Sequence, residues 1–280
     1  MPHVMSRHIR AVLPIGMASG QSGNPASSLR LERLYGCPVL LSGSASLVLS
    51  RTEIVVIHHH FKVHLERLMK LHRSTPECVV MFLAESLPAS ALLHLRMLGL
   101  LGMISHLGPS NILHQHGRHM LLTKNPGRSW FSTIRSICNE YGLPDPLLIL
   151  QSPPSKEAWK KLTKSKVTDF WEIKYRGQTA LLPSLKYFNA NYMSLSSPHP
   201  LFEAANSPFE VRKAVVTARM LSGRYRTDRL ARHWSKTNPS GLCLLPDCDG
   251  DSIGSLEHYC QALKQTSTDM TRHWSKFIAD

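Results

Sequence analysis

Apolar residues in the middle of this chain recur at spacings of three and four, and this periodicity is the strongest constraint on its fold. Such a repeat places the apolar side chains on one face of an α-helix. Ser50, followed three residues later by Glu53, is typical of a capping box at a helix start. The pattern predicts five helices, over residues 50–73, 88–107, 111–123, 130–141 and 155–177. We therefore predict a mainly α protein.

The segment 88–107 is the most apolar of the five. Its Leu and Met residues occupy more than one helical face, which predicts burial in the core. The same stretch contains Arg96 and two histidines, and it is too short to cross a bilayer. We predict no membrane span.

Composition divides the chain into four segments. Residues 1–30 are rich in Gly, Ser and Pro and are predicted to be flexible. Residues 31–180 contain the predicted helices and form a helical body. Residues 181–206 are an irregular Pro/Ser/Asn stretch and are predicted to be a linker, whereas 207–280 combine basic helices with a small Cys/His cluster.

Charge points to the class of partner. The chain of 280 residues carries a formal net charge of +14, which favours RNA and/or DNA, with an acidic membrane surface as the second choice. In the predicted helix 155–177, seven Lys or Arg oppose three acidic residues. We predict that Lys160 and Lys164 contact phosphates. The alternative is a solvated amphipathic face.

A second basic segment begins at Ser207, which forms a predicted capping box with Glu210 and precedes a stop at residues 222–223. Between residues 211 and 236 there are eight Lys or Arg and one acidic residue. A shorter helix is predicted to follow the stop. The candidate nucleic-acid contacts of this segment are Arg212, Lys213, Arg219, Arg224, Arg226, Arg229 and Arg232.

Cysteine and histidine cluster after the basic segment. Cys243 and Cys248 are followed by His258 and Cys260, the residue types that hold tetrahedral Zn²⁺ in a small knuckle. One residue separates His258 from Cys260, so the two cannot act as ligands from one face of a helix. The alternative is a loop with unpaired thiols. A calcium loop at residues 247–258 is disfavoured, since the positions that need Gly and Glu hold Ser252 and His258.

The six cysteines of the chain are otherwise spread out. This spacing does not resemble the disulfide framework of a secreted protein, so a reducing compartment is favoured. We expect a nuclear or cytoplasmic location.

The order of several stretches carries a family resemblance. The C-terminal stretches are ARMLSGRYRT, GLCLLPDC and LEHYC; upstream are LYGCPVLLSGSASLVLS, HLRMLGLLGMISHL, SWFSTIRSICNEYGLPDPL and FNANYMSLSSPHPLF. From about Leu31 onward, the chain resembles the region after the polymerase domain in non-LTR (LINE-type) retrotransposon reverse transcriptases. The resemblance implies a thumb- or connector-like helical body, a basic helix and a zinc knuckle that grip RNA and DNA during target-primed reverse transcription. In that family about four residues separate the knuckle's His from its last Cys, so the knuckle here is degenerate.

Catalytic motifs are absent from the sequence. There is no Asp-Asp pair of the kind that holds the two metal ions of a reverse transcriptase, and no phosphate-binding Gly loop, GxSxG elbow or HExxH helix. We therefore expect no polymerase activity from this chain alone. Two alternatives remain: a host-recruited helical protein-interaction module, and a non-functional transposon relic.

Overall fold

Most of the described α-helices begin at a polar residue whose side chain caps the first turn. The structure is a computed structural model that describes residues 24–123, 129–185, 188–195 and 200–223. Within these ranges it is helical and contains no strand, which confirms a mainly α fold for this part of the chain. The α-helices are α1 (Pro25–Leu31), α2 (Cys37–Leu40), α3 (Arg51–Leu68), α4 (Glu77–Ala84), α5 (Ala89–Ser105), α6 (Ile112–Leu122), α7 (Trp130–Glu140), α8 (Pro146–Gln151), α9 (Lys156–Ala180), α10 (Pro200–Glu203) and α11 (Pro208–Leu221).

The five helices predicted in the body are confirmed as α3, α5, α6, α7 and α9. Ser50 and Glu53 form the predicted capping box. Helix α3 ends at Leu68 rather than at the predicted Arg73. The reason is local: Lys70 adopts a left-handed φ of 56°, and the Leu71 N–H donates back to the Glu66 carbonyl at 2.8 Å. This is a Schellman motif, which terminates a helix.

Helix α5 is the hub of the fold. It packs against α3, α6, α7, α8 and α9, and against the 3₁₀ turn Ser44–Ser46. Its buried residues fall on several faces, as the sequence predicts for this segment. A single stripe stays exposed: Arg96, Gly99, Met103 and, at the C-cap, His106, at spacings of three, four and three.

The sequence pattern gave no indication of α4. All of its residues from Cys78 to Ala84 are at most 1% exposed, and it packs between α3 and α9. Phe82 contacts Tyr175 of α9 and Phe188 through its ring. A helix that is covered on every side has no polar face, so it carries no periodic signal.

Two predicted segment boundaries differ from the structure. Residues 24–30 were expected to be flexible, but most of them belong to α1, where Leu29 is buried and the Asn24 amide donates to the Ala205 carbonyl at 2.9 Å. The described residues of 181–206 contain two 3₁₀ turns, Pro183–Leu185 and Ala190–Tyr192, and the short helix α10, and they are not a detached linker. Four of their large side chains lie in the common core: Leu185, Phe188, Leu195 and Phe202. The division into four segments stays a prediction for the rest of the chain.

Helix α11 joins the same core. Val211, Ala214, Val215 and Ala218 are its buried stripe. The predicted capping box between Ser207 and Glu210 is present, and the helix ends at Leu221, directly before the predicted stop. Among the described residues no single helix is long and apolar enough to cross a membrane, although α4 and α5 together, bent by 58°, pass the same test of length and composition.

Candidate nucleic-acid interface

The predicted nucleic-acid residues fall into three groups. Lys160 and Lys164 lie on α9, and Arg212, Lys213 and Arg219 lie on α11. The other four predicted contacts lie outside the described residues: Arg224, Arg226, Arg229 and Arg232. The same holds for the four predicted zinc ligands, Cys243, Cys248, His258 and Cys260.

On α11, the buried stripe determines which cations face solvent. Because Val211 and Ala214 point into the core, Arg212 and Lys213 between them are directed outward and are exposed. Neither takes part in a salt bridge within the described part of the chain. These two side chains therefore have charge available for a partner.

Arg219 has a different environment. Its Nε and Nη2 donate to the carbonyl oxygen of Lys70 at 2.9 and 2.7 Å. Lys70 follows the end of α3, so this contact fastens α11 to the C-terminal end of α3. Burial lowers the pKa of Lys70, and the nearby charge of Arg219 lowers it further. Arg219 is thus both a structural contact and part of a locally positive surface.

On α9, Lys156, Lys160 and Lys164 form a row. They are one helical turn apart, about 6 Å along the axis. With Arg96 of α5 they border a surface groove of about 540 Å³ between α5 and α9. The other lining residues are mostly apolar or small: Ala45, Leu95, Gly99, Leu100, Gly102, Met103, Trp159 and Thr163.

Two glycines of α5 shape this groove. Gly102 allows Trp159 to cross closely, and the Trp159 Nε1–H donates to the Leu98 carbonyl at 2.8 Å. At Gly99 an added Cβ would have no neighbour within 4 Å, so the floor is open there. Met103, beside it, is 65% exposed.

The groove is positive and unneutralised. No acidic side chain lines it. Arg96, Lys156, Lys160 and Lys164 make no salt bridge with any residue in the described ranges. Four cations therefore surround an apolar floor.

The remaining cations of α9 divide into free and engaged ones. Lys161 and Lys166 are exposed and do not line the groove. The Lys174 ammonium lies 4.1 Å from the ring centroid of Trp171, and Arg176 pairs with Glu172 at 2.7 Å. The free charge of α9 is therefore concentrated in its N-terminal half.

Sequence reasoning missed Arg96 as a site residue. Its signal was a cation inside the most apolar of the five predicted helices. The groove itself left no such signal, because its walls are more than 50 residues apart along the chain.

Two other clusters of ionisable side chains join helices within the core. Glu32 and His64 form a buried pair at 2.7 Å, each side chain about 5% exposed. Glu77 accepts from the Tyr175 hydroxyl at 2.6 Å and lies 3.0 Å from His58 Nε2. Burial would raise the pKa of Glu77, but the bonds from His58 and Tyr175 outweigh it and hold that pKa low. In the part of the chain that is described, no group of three or more His, Cys, Asp or Glu could hold a metal ion.

Comparison of the chain with protein-family models, with curated proteins and with solved structures finds no match. The family resemblance in the sequence thus stays a prediction. The class that the described residues define is a helical protein with a strongly positive surface.

Proposed function

We propose that this chain binds RNA and/or DNA through its phosphates, as the post-polymerase region of a non-LTR retrotransposon reverse transcriptase. The observation that carries the proposal is a set of exposed cations on α9 and α11 that form no salt bridge among the described residues, in a chain whose net charge is +14. Polyanion binding follows from such an excess by simple Coulomb attraction.

The proposed contacts have unequal roles. Lys160, Lys164, Lys213 and Arg212 hold phosphates from the surface of their own helices, and Arg212 donates only within α11, from Nε to the Pro208 carbonyl at 3.4 Å. Arg219 instead donates through Nε and Nη2 to the Lys70 carbonyl, beyond the end of α3. We extend the proposal to Arg224, Arg226, Arg229 and Arg232, which follow α11 in the sequence. A contact between a cation and a phosphate carries no base information, so binding is weakly selective.

We propose a structural role for zinc in the C-terminal Cys/His cluster. Cys243, Cys248 and Cys260 would supply thiolates, and His258 would supply a ring nitrogen. With one residue between His258 and Cys260, the site is expected to be distorted or to hold only three protein ligands. No catalytic role is proposed for the metal.

We also propose that the chain has no polymerase activity by itself, because the sequence lacks the Asp pair. Primer extension with purified protein on RNA and DNA templates, with Mg²⁺ or Mn²⁺, measures this. Extension that persists through stringent purification would mean that the chain contains an active site of another kind.

The main experiment is the salt dependence of binding to a labelled single-stranded RNA and to a DNA duplex. Each neutralised phosphate releases counterions, and about six to ten contacts reduce affinity by roughly 10³ to 10⁵ between 50 and 200 mM salt. We expect a steep decrease. An affinity that does not change over this range would refute the proposal.

Variants localise the contacts. Arg212→Ala with Lys213→Ala, and separately Arg224→Ala with Arg226→Ala, should weaken binding about equally for all sequences and reduce the salt slope by about one per removed contact. The matched control is Arg118→Ala, which removes an exposed cation of α6. An equal loss per removed charge in the control would mean that net charge acts without a defined surface.

One observation favours a second function, that of a helical protein-interaction module. The groove between α5 and α9 has an apolar floor that phosphates would leave uncovered.

A further inference from the structure

One face of α5 is not covered by another described helix. Five helices cover the other faces of this hub, and only Arg96, Gly99, Met103 and His106 form an exposed row. The spacing of three, four and three is that of a helix face that packs against another helix. A sixth helical neighbour is therefore compatible with the stripe.

We propose that the groove between α5 and α9 is a docking site for an acidic amphipathic helix of a partner protein. This inference goes beyond nucleic-acid binding, since it assigns a protein partner to a surface that the phosphate contacts alone do not explain.

The apolar floor of the groove would bind the apolar face of the partner helix. Leu95, Leu100 and Met103 line it, and Gly99 leaves space between them. Met adapts its shape to different apolar partners, so an exposed Met in a groove suits a helical ligand. Apolar side chains at positions i, i+3 or i+4 and i+7 of a docked helix would fill this space.

The lysines on the rim of the groove would pair with acidic residues of the partner helix. Lys156, Lys160 and Lys164 repeat at four-residue intervals, which is about 6 Å per step. Acidic residues four apart on a partner helix repeat at the same distance, so a parallel or antiparallel helix places each carboxylate beside a lysine. Arg96 on the opposite wall meets the other flank of that helix.

The shape of the groove favours a helix over other anions. It runs along the surface for about 12 Å, from Lys156 to Lys164, and Met103 in its floor is 65% exposed. A helix buries only one stripe of its surface, which an open groove accommodates. A small amphiphile is normally enclosed over roughly 70–90% of its surface, and a phosphate backbone would leave the apolar floor in contact with water.

The test uses a fluorescein-labelled peptide of about 18 residues, with Leu at one helical stripe and Glu on both flanks. Its controls are a scrambled peptide of the same composition, which has no apolar face, and an oligoglutamate of equal charge. We expect the amphipathic peptide to bind at least about tenfold more tightly than either control. Equal affinity for the three would overturn the proposal, because charge alone would then explain binding.

A matched pair of variants separates the groove from general charge. Lys160→Glu with Lys164→Glu changes the groove rim, and Lys161→Glu with Lys166→Glu makes the same change of net charge elsewhere on α9. Peptide affinity should decrease at least about tenfold in the first variant and less than about threefold in the second. Equal losses would overturn the proposal.

Two further variants leave the cations in place. Gly99→Leu fills the floor at a position with open space, and Met103→Glu places a charge on an exposed side chain, so both should fold. Each should reduce peptide affinity at least about tenfold, with circular dichroism confirming an unchanged helix content. Unchanged peptide affinity in both folded variants would overturn the proposal.

Nucleic acid is the competing occupant. For a labelled RNA, we expect Gly99→Leu to have no effect. The reversal of Lys160 and Lys164 should lose more RNA affinity than the reversal of Lys161 and Lys166, because only the first pair belongs to the proposed phosphate contacts. If RNA binding depends on Gly99 and on the groove lysines but not on Lys161 and Lys166, the groove is a nucleic-acid site and the docking proposal is wrong. If no RNA binds but the peptide does, the docking proposal stands and the proposed nucleic-acid function does not.

Discussion

Two glycines of α5, three residues apart, should respond oppositely to the same substitution. A methyl group at Gly102 would overlap Trp159 Cδ1 and lie 2.8 Å from its Nε1, whereas a methyl group at Gly99 would meet nothing within 4 Å. Both positions are helical, so Gly→Ala brings both the same gain in helix propensity, about 1 kcal/mol. The difference in stability between Gly99→Ala and Gly102→Ala therefore reports the contact between α5 and α9.

The expected magnitudes follow from this geometry. Gly99→Ala should raise the free energy of unfolding by about 0.5–1 kcal/mol. At Gly102 the indole cannot withdraw easily, since Trp159 is 3% exposed and its Nε1–H donates to Leu98 at 2.8 Å. An overpacking cost of about 2–3 kcal/mol, less the same propensity gain of about 1 kcal/mol, gives a net destabilisation of about 1–2 kcal/mol.

Urea denaturation followed by circular dichroism measures both variants. If the slope of the transition is unchanged, a shift of its midpoint reports stability. We expect the Gly102→Ala midpoint to fall below that of the wild type and the Gly99→Ala midpoint to rise above it. A Gly102→Ala protein as stable as Gly99→Ala would refute close packing of α5 against Trp159.

A double-mutant cycle tests the partner of the clash. Trp159→Leu removes the indole, so Gly102→Ala should cost less in that background, with a coupling of about 1 kcal/mol or more. Additive effects would mean that the destabilisation at Gly102 does not arise from Trp159.

Three other properties can be measured on the same protein. Burial lowers the pKa of His94 to about 4, and its Nδ1 lies 2.8 Å from the Tyr141 hydroxyl oxygen. Below its ordinary pKa, His94 therefore binds a proton in the unfolded chain that it does not bind in the native state. Stability should fall by up to about 1.4 kcal/mol per pH unit as pH decreases from about 6.5 to 4, and His94→Gln should flatten the pH profile of the urea midpoint; an unaltered profile would contradict this reasoning. Arg219→Ala should cost about 1 kcal/mol of stability in the same assay, because it removes both bonds to the Lys70 carbonyl; a midpoint equal to that of the wild type would show the contact to be energetically neutral. Elemental analysis of reduced protein should find zinc that is lost in Cys243→Ser, and less than about a tenth of a zinc per chain would reject the site.

Local sequence signals predicted much of the helical body. Ser50 with Glu53 and Ser207 with Glu210 marked two helix starts correctly, because a capping box depends only on residues within one turn. The start of α9 after Ser155 was equally local, and its side chain accepts from the Ala158 N–H at 3.3 Å.

Predictions were wrong where a residue's environment depends on partners far away in the sequence. Phe188 and Phe202 lie in a stretch whose Pro, Ser and Asn content favoured a linker, but both are buried against the body. Arg219 looks equivalent to Arg212 in the sequence, and only the Lys70 carbonyl, 149 residues away, distinguishes them. The left-handed turn at Lys70 shortened α3 by five residues relative to its prediction, and no Gly marked the position.

By itself, the sequence determined the mainly α character, the starts of α3, α5, α6, α7, α9 and α11, and the excess of positive charge. These properties follow from residues within a turn or two of one another, or from composition alone. The tertiary structure decided which cations stay free and where an apolar surface remains open. Lys160 faces a groove because Gly102 lets α9 approach α5, and Met103 is exposed because no other described helix covers that stripe. Such features arise from packing between segments far apart in the chain, which local periodicity does not encode.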